Sequence, residues 1–243
     1  MSEKGNPLLD YFVANGGRSI HKWLHYFEIY HRCFERYRSR SGIKFLEIGV
    51  QNGGSTHMWR EYFSKDARII GMDIDPACRE MEKDGFEIWI GDQASRDFWT
   101  NFKQKHSSLD IILDDGGHTM EQQLVAFQEL FPILSDGGIY LCEDTHSSYL
   151  SSFQGGLRRQ GTFIEAVKNM IDHLHSWYYQ SDEEINNNYL TNYLYSIQVF
   201  DSIVVFEKRR KTQPLCIMTG NDQRVGLGFG LMTNASLRQF SAR

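Results

Sequence analysis

Two short stretches of this 243-residue chain gather more carboxylates than a solvated surface needs. Asp114-Asp115-Gly116-Gly117-His118 follows one apolar run, and Glu143-Asp144-Thr145-His146 follows the next. Four acids drawn to one place raise one another's pKa and repel unless a cation neutralises them. A hard divalent ion is the economical answer, because Mg2+ takes oxygen ligands, keeps several waters and accepts substrate oxygens as its remaining ligands. Asp at a strand end also caps turns and helices, so one or two of the four are expected to do that instead. His118 stands three residues beyond Asp115, after two glycines, where its imidazole reaches the same cleft. An unperturbed imidazole, with a pKa of about 6.5, suits a general base at neutral pH. A lone histidine is more often structural, but the flexible glycines before this one favour function. His146 and Tyr149 follow the second acid pair and are candidates for lining an acceptor pocket, with a structural role competing evenly. His57, His106, His173 and His175 have no comparable context.

Such residues need a scaffold that delivers strand ends to one edge. Residues 43–49, 68–73, 86–91, 109–114 and 137–143 are short apolar runs ending in Gly or a carboxylate, as strands buried on both faces should look. Helical stripes fill the gaps: Met58, Trp59, Tyr62 and Phe63; Phe98, Trp99 and Phe102; Leu124, Phe127, Leu130, Phe131 and Leu134. Alternation of this kind predicts a doubly wound, Rossmann-like α/β fold with a mostly parallel sheet, since each crossover is right-handed and packs back on the sheet. Upstream, Trp23, Tyr26, Phe27 and Tyr30 fall at helical spacing, and residues 20–38 are expected to form an amphipathic helix that packs on its own sheet or on a second subunit. Residues 162–179 resemble another helix, 182–194 a helix or a lid-like loop, and 195–207 two β-type runs meeting near Asp201 and Ser202 as a hairpin. The expected division is an N-terminal helical region (1–42), a core (43–208) and a C-terminal extension (209–243) containing GLGFGLM.

The first strand runs into a glycine turn, FLEIGVQNGGS (residues 45–55). A dinucleotide fingerprint is G-x-G-x-x-G, whereas Gly49 to Gly54 reads G-x-x-x-G-G, which counts against a nicotinamide oxidoreductase. Glu47 would repel phosphate yet attract a cation. Asp73 ends the second strand, where an acid takes both ribose hydroxyls, and Gly91-Asp92-Gln93 ends the third, placed to meet an adenine edge. Adenosine at one end and a positive, amino-acid-like portion at the other describe S-adenosylmethionine. Gly49, Gly53 and Ser55 would wall its methionine end.

Composition excludes other classes. A formal charge of −5 argues against a broad nucleic-acid surface, and Lys208-Arg209-Arg210-Lys211 reads as a short solvated strand end. Cys33, Cys78, Cys142 and Cys216 lack C-x-x-C spacing and read as reduced thiols in a cytoplasmic protein. No stretch approaches membrane-spanning length and the first residues lack a signal-peptide pattern, so a soluble, unprocessed chain is expected.

FLEIGVQNGGS, GMDID, GDQ, LDIILDDGGH, LFPILSDGGIYLCEDTHSSY and DSIVVFEK resemble the class I S-adenosylmethionine-dependent methyltransferases. More narrowly, they resemble the metal-dependent sugar O-methyltransferases of macrolide pathways, of the mycinamicin and tylosin type, and the rhamnosyl O-methyltransferases. The resemblance runs from about residue 20 to 208, and the two acid blocks are its most specific part. It implies a seven-stranded sheet with the last strand antiparallel. It further implies Mg2+ on Asp115, Glu143 and Asp144, His118 as base, and Asp114 turned toward the cofactor or the backbone. The acceptor implied is a hydroxyl of a sugar or glycosylated natural product. A catechol-type O-methyltransferase and a non-enzymatic binding module stand as rivals, and a homo-oligomer is compatible with all three. Residues 151–163, SSFQGGLRRQGTF, match nothing in that pattern.

Overall fold

In the computed structural model, which describes residues 5–178 and 188–215, the apolar runs become parallel strands β1 (Lys44–Ile48), β2 (Arg68–Asp73), β3 (Glu87–Ile90), β4 (Leu109–Asp114) and β5 (Leu134–Cys142). Alternate side chains go to opposite faces, and both faces are apolar. Phe45, Ile69, Ile88, Ile111, Leu113, Ile139 and Leu141 point into one core, whereas Leu46, Ile48, Ile70, Met72, Ile112 and Tyr140 point into another.

Helices cover each face. α1 (Pro7–Ala14), α2 (Tyr26–Phe34) and α3 (Gly54–Tyr62) contribute to the first core; α4 (Arg96–Lys105), α5 (Met120–Leu130) and α6 (Phe163–His175) contribute to the second. After the short α7 (Tyr189–Tyr193), β6 (Leu194–Phe200) and β7 (Ile203–Lys208) form the expected hairpin, turning at Ser202 with φ 64°. The seven strands lie in the order β3-β2-β1-β4-β5-β7-β6, and β7 runs antiparallel to both its neighbours. The order reverses between β1 and β4, so a crevice opens beyond the C-terminal ends of those strands.

Local chemistry fixes where the helices start. Thr119 caps α5 in a reciprocal capping box with Gln122, Ser95 caps α4 through Phe98 N–H, and Thr162 caps α6 through Glu165 N–H. Trp59 on α3 is fully buried between Phe45 and Tyr30, at ring distances of 5.2 and 5.3 Å. Truncating a side chain of that size costs about 3–5 kcal/mol.

The N-terminal region departs from the pattern-based expectation. The helix begins at Tyr26, not near residue 20, and ends in a 3-10 turn over Glu35–Tyr37. Trp23 lies outside it and is 55% exposed. The amphipathic stripe packs on its own sheet, through Phe27, Tyr30, Phe34 and Tyr37. Lys208 is also not a solvated strand end: its ammonium is buried, donates to Pro132 C=O at 2.7 Å and lies 5.4 Å from the ring centres of Tyr189 and Tyr193. Residues 182–187, Cys216 and the GLGFGLM stretch lie outside the described residues.

Candidate active site

The loops leaving the strand ends are tied together by backbone hydrogen bonds. Gly91 N–H donates to Asp73 C=O (3.0 Å), Gly49 N–H to Met72 C=O (2.8 Å), Asp115 N–H to Ile48 C=O (2.9 Å) and Glu143 N–H to Asp114 C=O (2.8 Å). Each bond carries the ladder one residue past the strands, so four loops leave the sheet in register. Gly49, at φ 94°, lets the first of them turn, and a Cβ there would stand 2.0 Å from the Asp115 carbonyl oxygen. The loop after β1 and the loop after β4 therefore touch backbone to backbone.

One cavity of about 1050 Å3, counted out to its open mouth, runs along this edge. Gly49, Ser55, Asp73, Gly91 and Gln93 line it, as do Asp115, His118, Glu143 and Asp144. Asp73 accepts Gln51 N–H at 2.8 Å and Asp75 N–H at 2.9 Å, which orients its carboxylate at the end of β2. Gln93 is buried; it donates to Asp114 at 2.6 Å and accepts Gly117 N–H at 3.1 Å, bracing the turn that carries His118.

Other predicted residues stand behind the wall. Glu47 is buried and accepts from Thr56 Oγ1 (2.6 Å) and Trp59 Nε1 (2.9 Å); burial raises its pKa despite those bonds and the nearby charge of Lys22. Asp114 is buried under Gln93 and Tyr140, and burial pushes its pKa up to about 7 although both neighbours donate to it. Gly53, at φ 78°, packs on Met81, and Asp92 closes its own turn by accepting Ala94 N–H at 2.8 Å. His146 Nδ1 lies 2.5 Å from Ser202 Oγ and 4.0 Å from Asp144, with its ring 6.0 Å from that of Trp23. Tyr149 is 48% exposed.

At the acidic end, one ligand atom each from Asp115, His118 and Asp144 falls within 4.8 Å of the others. His118 Nε2 is 3.4 Å from Asp144 Oδ2 and 3.8 Å from Asp115 Oδ1. Both His118 (φ 59°) and Asp144 (φ 51°) adopt left-handed backbone, a conformation that costs non-glycine residues and concentrates at functional sites. The two part-buried carboxylates offer the oxygen ligands a hard divalent cation takes, and the His118 imidazole stands beside them.

Sequence reasoning missed three residues here. Lys22, in the extended stretch before α2, is buried and donates to Asp115 and to both oxygens of Glu143, at 3.1 and 3.0 Å. Burial opposes its charge, but Asp115, Glu143 and Glu47 outweigh burial and hold its pKa above the ordinary lysine value. Tyr30 donates to Glu143, and Tyr26 to Asp144 Oδ1 at 2.5 Å. Burial first, then Asp115, pushes the Glu143 pKa up. The i, i+4 spacing of the two tyrosines on α2 could have been read as a polar pair aimed at the strand ends; Lys22 sits among polar residues and gave no such cue.

Comparison with known proteins is consistent with this geometry. The methyltransferase-domain family matches residues 46–145. The 8-demethyl-8-(2-methoxy-alpha-L-rhamnosyl)-tetracenomycin-C 3'-O-methyltransferase of Streptomyces olivaceus is 30% identical over 201 residues, covering 79% of this chain and 51% of that protein. The mycinamicin VI 2''-O-methyltransferase of Micromonospora griseorubida is 30% identical over 202 residues, covering 79% and 50%. The chain spans about half the length of these curated relatives. Among solved structures, the MycE methyltransferase from the mycinamycin biosynthetic pathway, in complex with Mg and SAH, superposes with a TM-score of 0.76 at 26% identity, over 99% of this chain and 61% of that one. This chain has the seven-stranded Rossmann-like methyltransferase fold, and its residues 46–145 match the methyltransferase-domain family.

Proposed function

We propose that this protein is a Mg2+-dependent O-methyltransferase that uses S-adenosylmethionine to methylate a hydroxyl of a sugar or glycosylated natural product. The observation that carries this reading is that one cavity is lined both by Asp73 and the β1 glycine turn and by the Asp115–His118–Asp144 cluster. An acid placed for a ribose and a cluster suited to a cation on one edge are what metal-assisted transfer from a nucleoside sulfonium to an oxygen would use.

Asp73 would take the ribose hydroxyls, with Gly49 and Ser55 beside the methionine portion and Gly91 and Gln93 toward the adenine. Asp115 and Asp144, joined by Glu143, would hold the metal, which when bound lowers the pKa of a coordinated hydroxyl and orients it. His118 would accept the proton of the attacking hydroxyl at Nε2, the ring nitrogen that faces both aspartates. The left-handed turn at His118, braced by Gln93 through Gly117, fixes where that nitrogen points. Trp23, half-exposed beside His146 at the cavity mouth, offers an apolar surface to one face of a sugar ring.

The relatives' names, which give a rhamnosyl-tetracenomycin and mycinamicin VI as the compounds methylated on oxygen, support this acceptor class. The test is a mass-spectrometric assay with S-adenosylmethionine, Mg2+ and a panel of glycosides, free sugars and catechols. A gain of 14 Da (one methylene) on a glycoside, stopped by EDTA and restored by Mg2+, is expected. Indifference to both additions would remove the metal, and methylation confined to catechols would remove the acceptor class. The same reading places the protein in the cytoplasm, and among the described residues no helix is long and apolar enough to cross a membrane.

A further inference from the structure

Lys22 has no part in the chemistry above, yet it occupies the centre of the acid cluster. Its side chain is 3% exposed, and the Glu143 carboxylate it binds is 1% exposed. Withdrawing an ammonium and a carboxylate from water costs several kcal/mol per ion, returned only through close pairing. Lys22 achieves that pairing with two acids at once, from a stretch that belongs to no helix or strand. Asp115 straddles two centres: Oδ2 accepts from Lys22, whereas Oδ1 faces the His118 ring. Glu143 is engaged wholly by Lys22 and Tyr30 and stands outside the Asp115–His118–Asp144 cluster. A divalent ion that drew on Glu143 together with Asp115 would need the space the ammonium fills, and two cations a few ångströms apart in a buried site repel strongly.

We infer that Lys22 is a tethered cation that holds the Asp115–Glu143 pair in the metal-free protein and is expelled when a divalent ion binds, freeing Glu143 to join Asp115 and Asp144. This rests on the metal reading given under the proposed function. The exchange has two consequences. The acids stay neutralised before the ion arrives, so the strand ends do not spring apart. The ion must also displace a built-in competitor, which weakens its binding. The stretch carrying Lys22 lines the cavity through Ser19, Ile20, His21 and Trp23, and it is pinned to the β1 turn by Asn52 Nδ2, which donates to Ser19 Oγ at 2.9 Å. The expelled side chain therefore moves within a wall of the cavity while its backbone stays anchored.

The experiment uses the intact wild-type chain and Lys22→Met. Calorimetry measures Mg2+ uptake by each, and acylation with an amine-reactive ester at pH about 8, where a buried protonated amine is shielded, is mapped by peptide mass spectrometry with and without saturating Mg2+. Exposed Lys65 serves as the internal control. The expected results are a rise of about fivefold or more in Lys22 acylation on adding Mg2+, none at Lys65, and Mg2+ binding at least about tenfold tighter in Lys22→Met. Unchanged or reduced Lys22 acylation in the Mg2+-saturated wild type overturns the exchange while leaving the metal reading intact. So does a gain in affinity below about threefold in a folded Lys22→Met. No Mg2+ uptake by either chain overturns both. The wild-type footprint decides the matter if Lys22→Met does not fold.

Discussion

Two clusters of charge on this sheet, one at its β3 edge and one near its middle, are built on opposite principles. At the outer end, Glu87 on β3 meets Arg68, Lys105 and His106 and accepts from Trp89 Nε1 at 3.0 Å. Burial alone would raise its pKa, but bonds from Trp89, Arg68 and Lys105, with the charge of His106, draw it down to about 2. Near the middle, Asp114, Asp115, Glu143 and Asp144 gather around one lysine among the described residues, Lys22, which pairs with Asp115 and Glu143 alone, and burial drives the pKa values of Asp114 and Glu143 upward. The first cluster has cations to spare and serves stability. The second is short of cation, and that shortage gives it an appetite for one.

Perturbing each side separates these roles. The largest effect is expected from His118→Ala, which removes the proposed proton acceptor of the cation-poor cluster: turnover falls about 100- to 10,000-fold, while binding of S-adenosylhomocysteine by calorimetry and the melting temperature stay near wild type. Full activity in that variant would take His118 out of the chemistry. Tyr30→Phe comes next. It deprives buried Glu143 of a donor, and a buried carboxylate left short of a partner costs about 1–3 kcal/mol. Chemical denaturation without metal should record that loss, and Mg2+ should recover part of it; a stability equal to wild type would mean that Tyr30 is not supporting the acid.

The smallest effect is expected at the outer cluster. The Glu87 carboxyl has a folded-state pKa below its unfolded one, so its stabilisation is complete above about pH 4.5 and is lost as pH falls through about 2. Glu87→Gln should therefore melt lower than wild type at neutral pH, with the gap closing as pH drops across that window and turnover at neutral pH unchanged. A gap that is constant with pH would mean the ion pairs contribute nothing specific.

The strands and their order of use were legible because residues buried on two faces leave continuous apolar runs, and Gly or Asp at each run's end marked the functional edge. The hairpin was legible from Asp201 and Ser202 between β-type runs. The start of α2 was not. Trp23 lies at helical spacing from Tyr26 and Tyr30, so periodicity extended the helix backward, whereas the chain before Tyr26 instead delivers Lys22 to the acids. α1 escaped notice because eight residues offer little period to read; the cap by Asn6 was its better signal. Lys22 itself was illegible for a physical reason: a buried lysine is specified by the carboxylates it meets, which lie 93 and 121 positions away. Lys208 failed in the same way, since its partners Pro132, Tyr189 and Tyr193 come from other elements.

The contact between Gly49 and the Asp115 carbonyl bears on how such a protein can diversify. The β1 and β4 loops abut there through main chain, so on the proposed reading the reach from methyl donor to acceptor would be set by two backbones. On the proposed reading, Trp23, which lines the cavity and is half-exposed, would be free to change with the acceptor while that reach stays constant. On that reading, one fixed ruler with a replaceable rim would let new acceptors be tried without rebuilding the proposed transfer step.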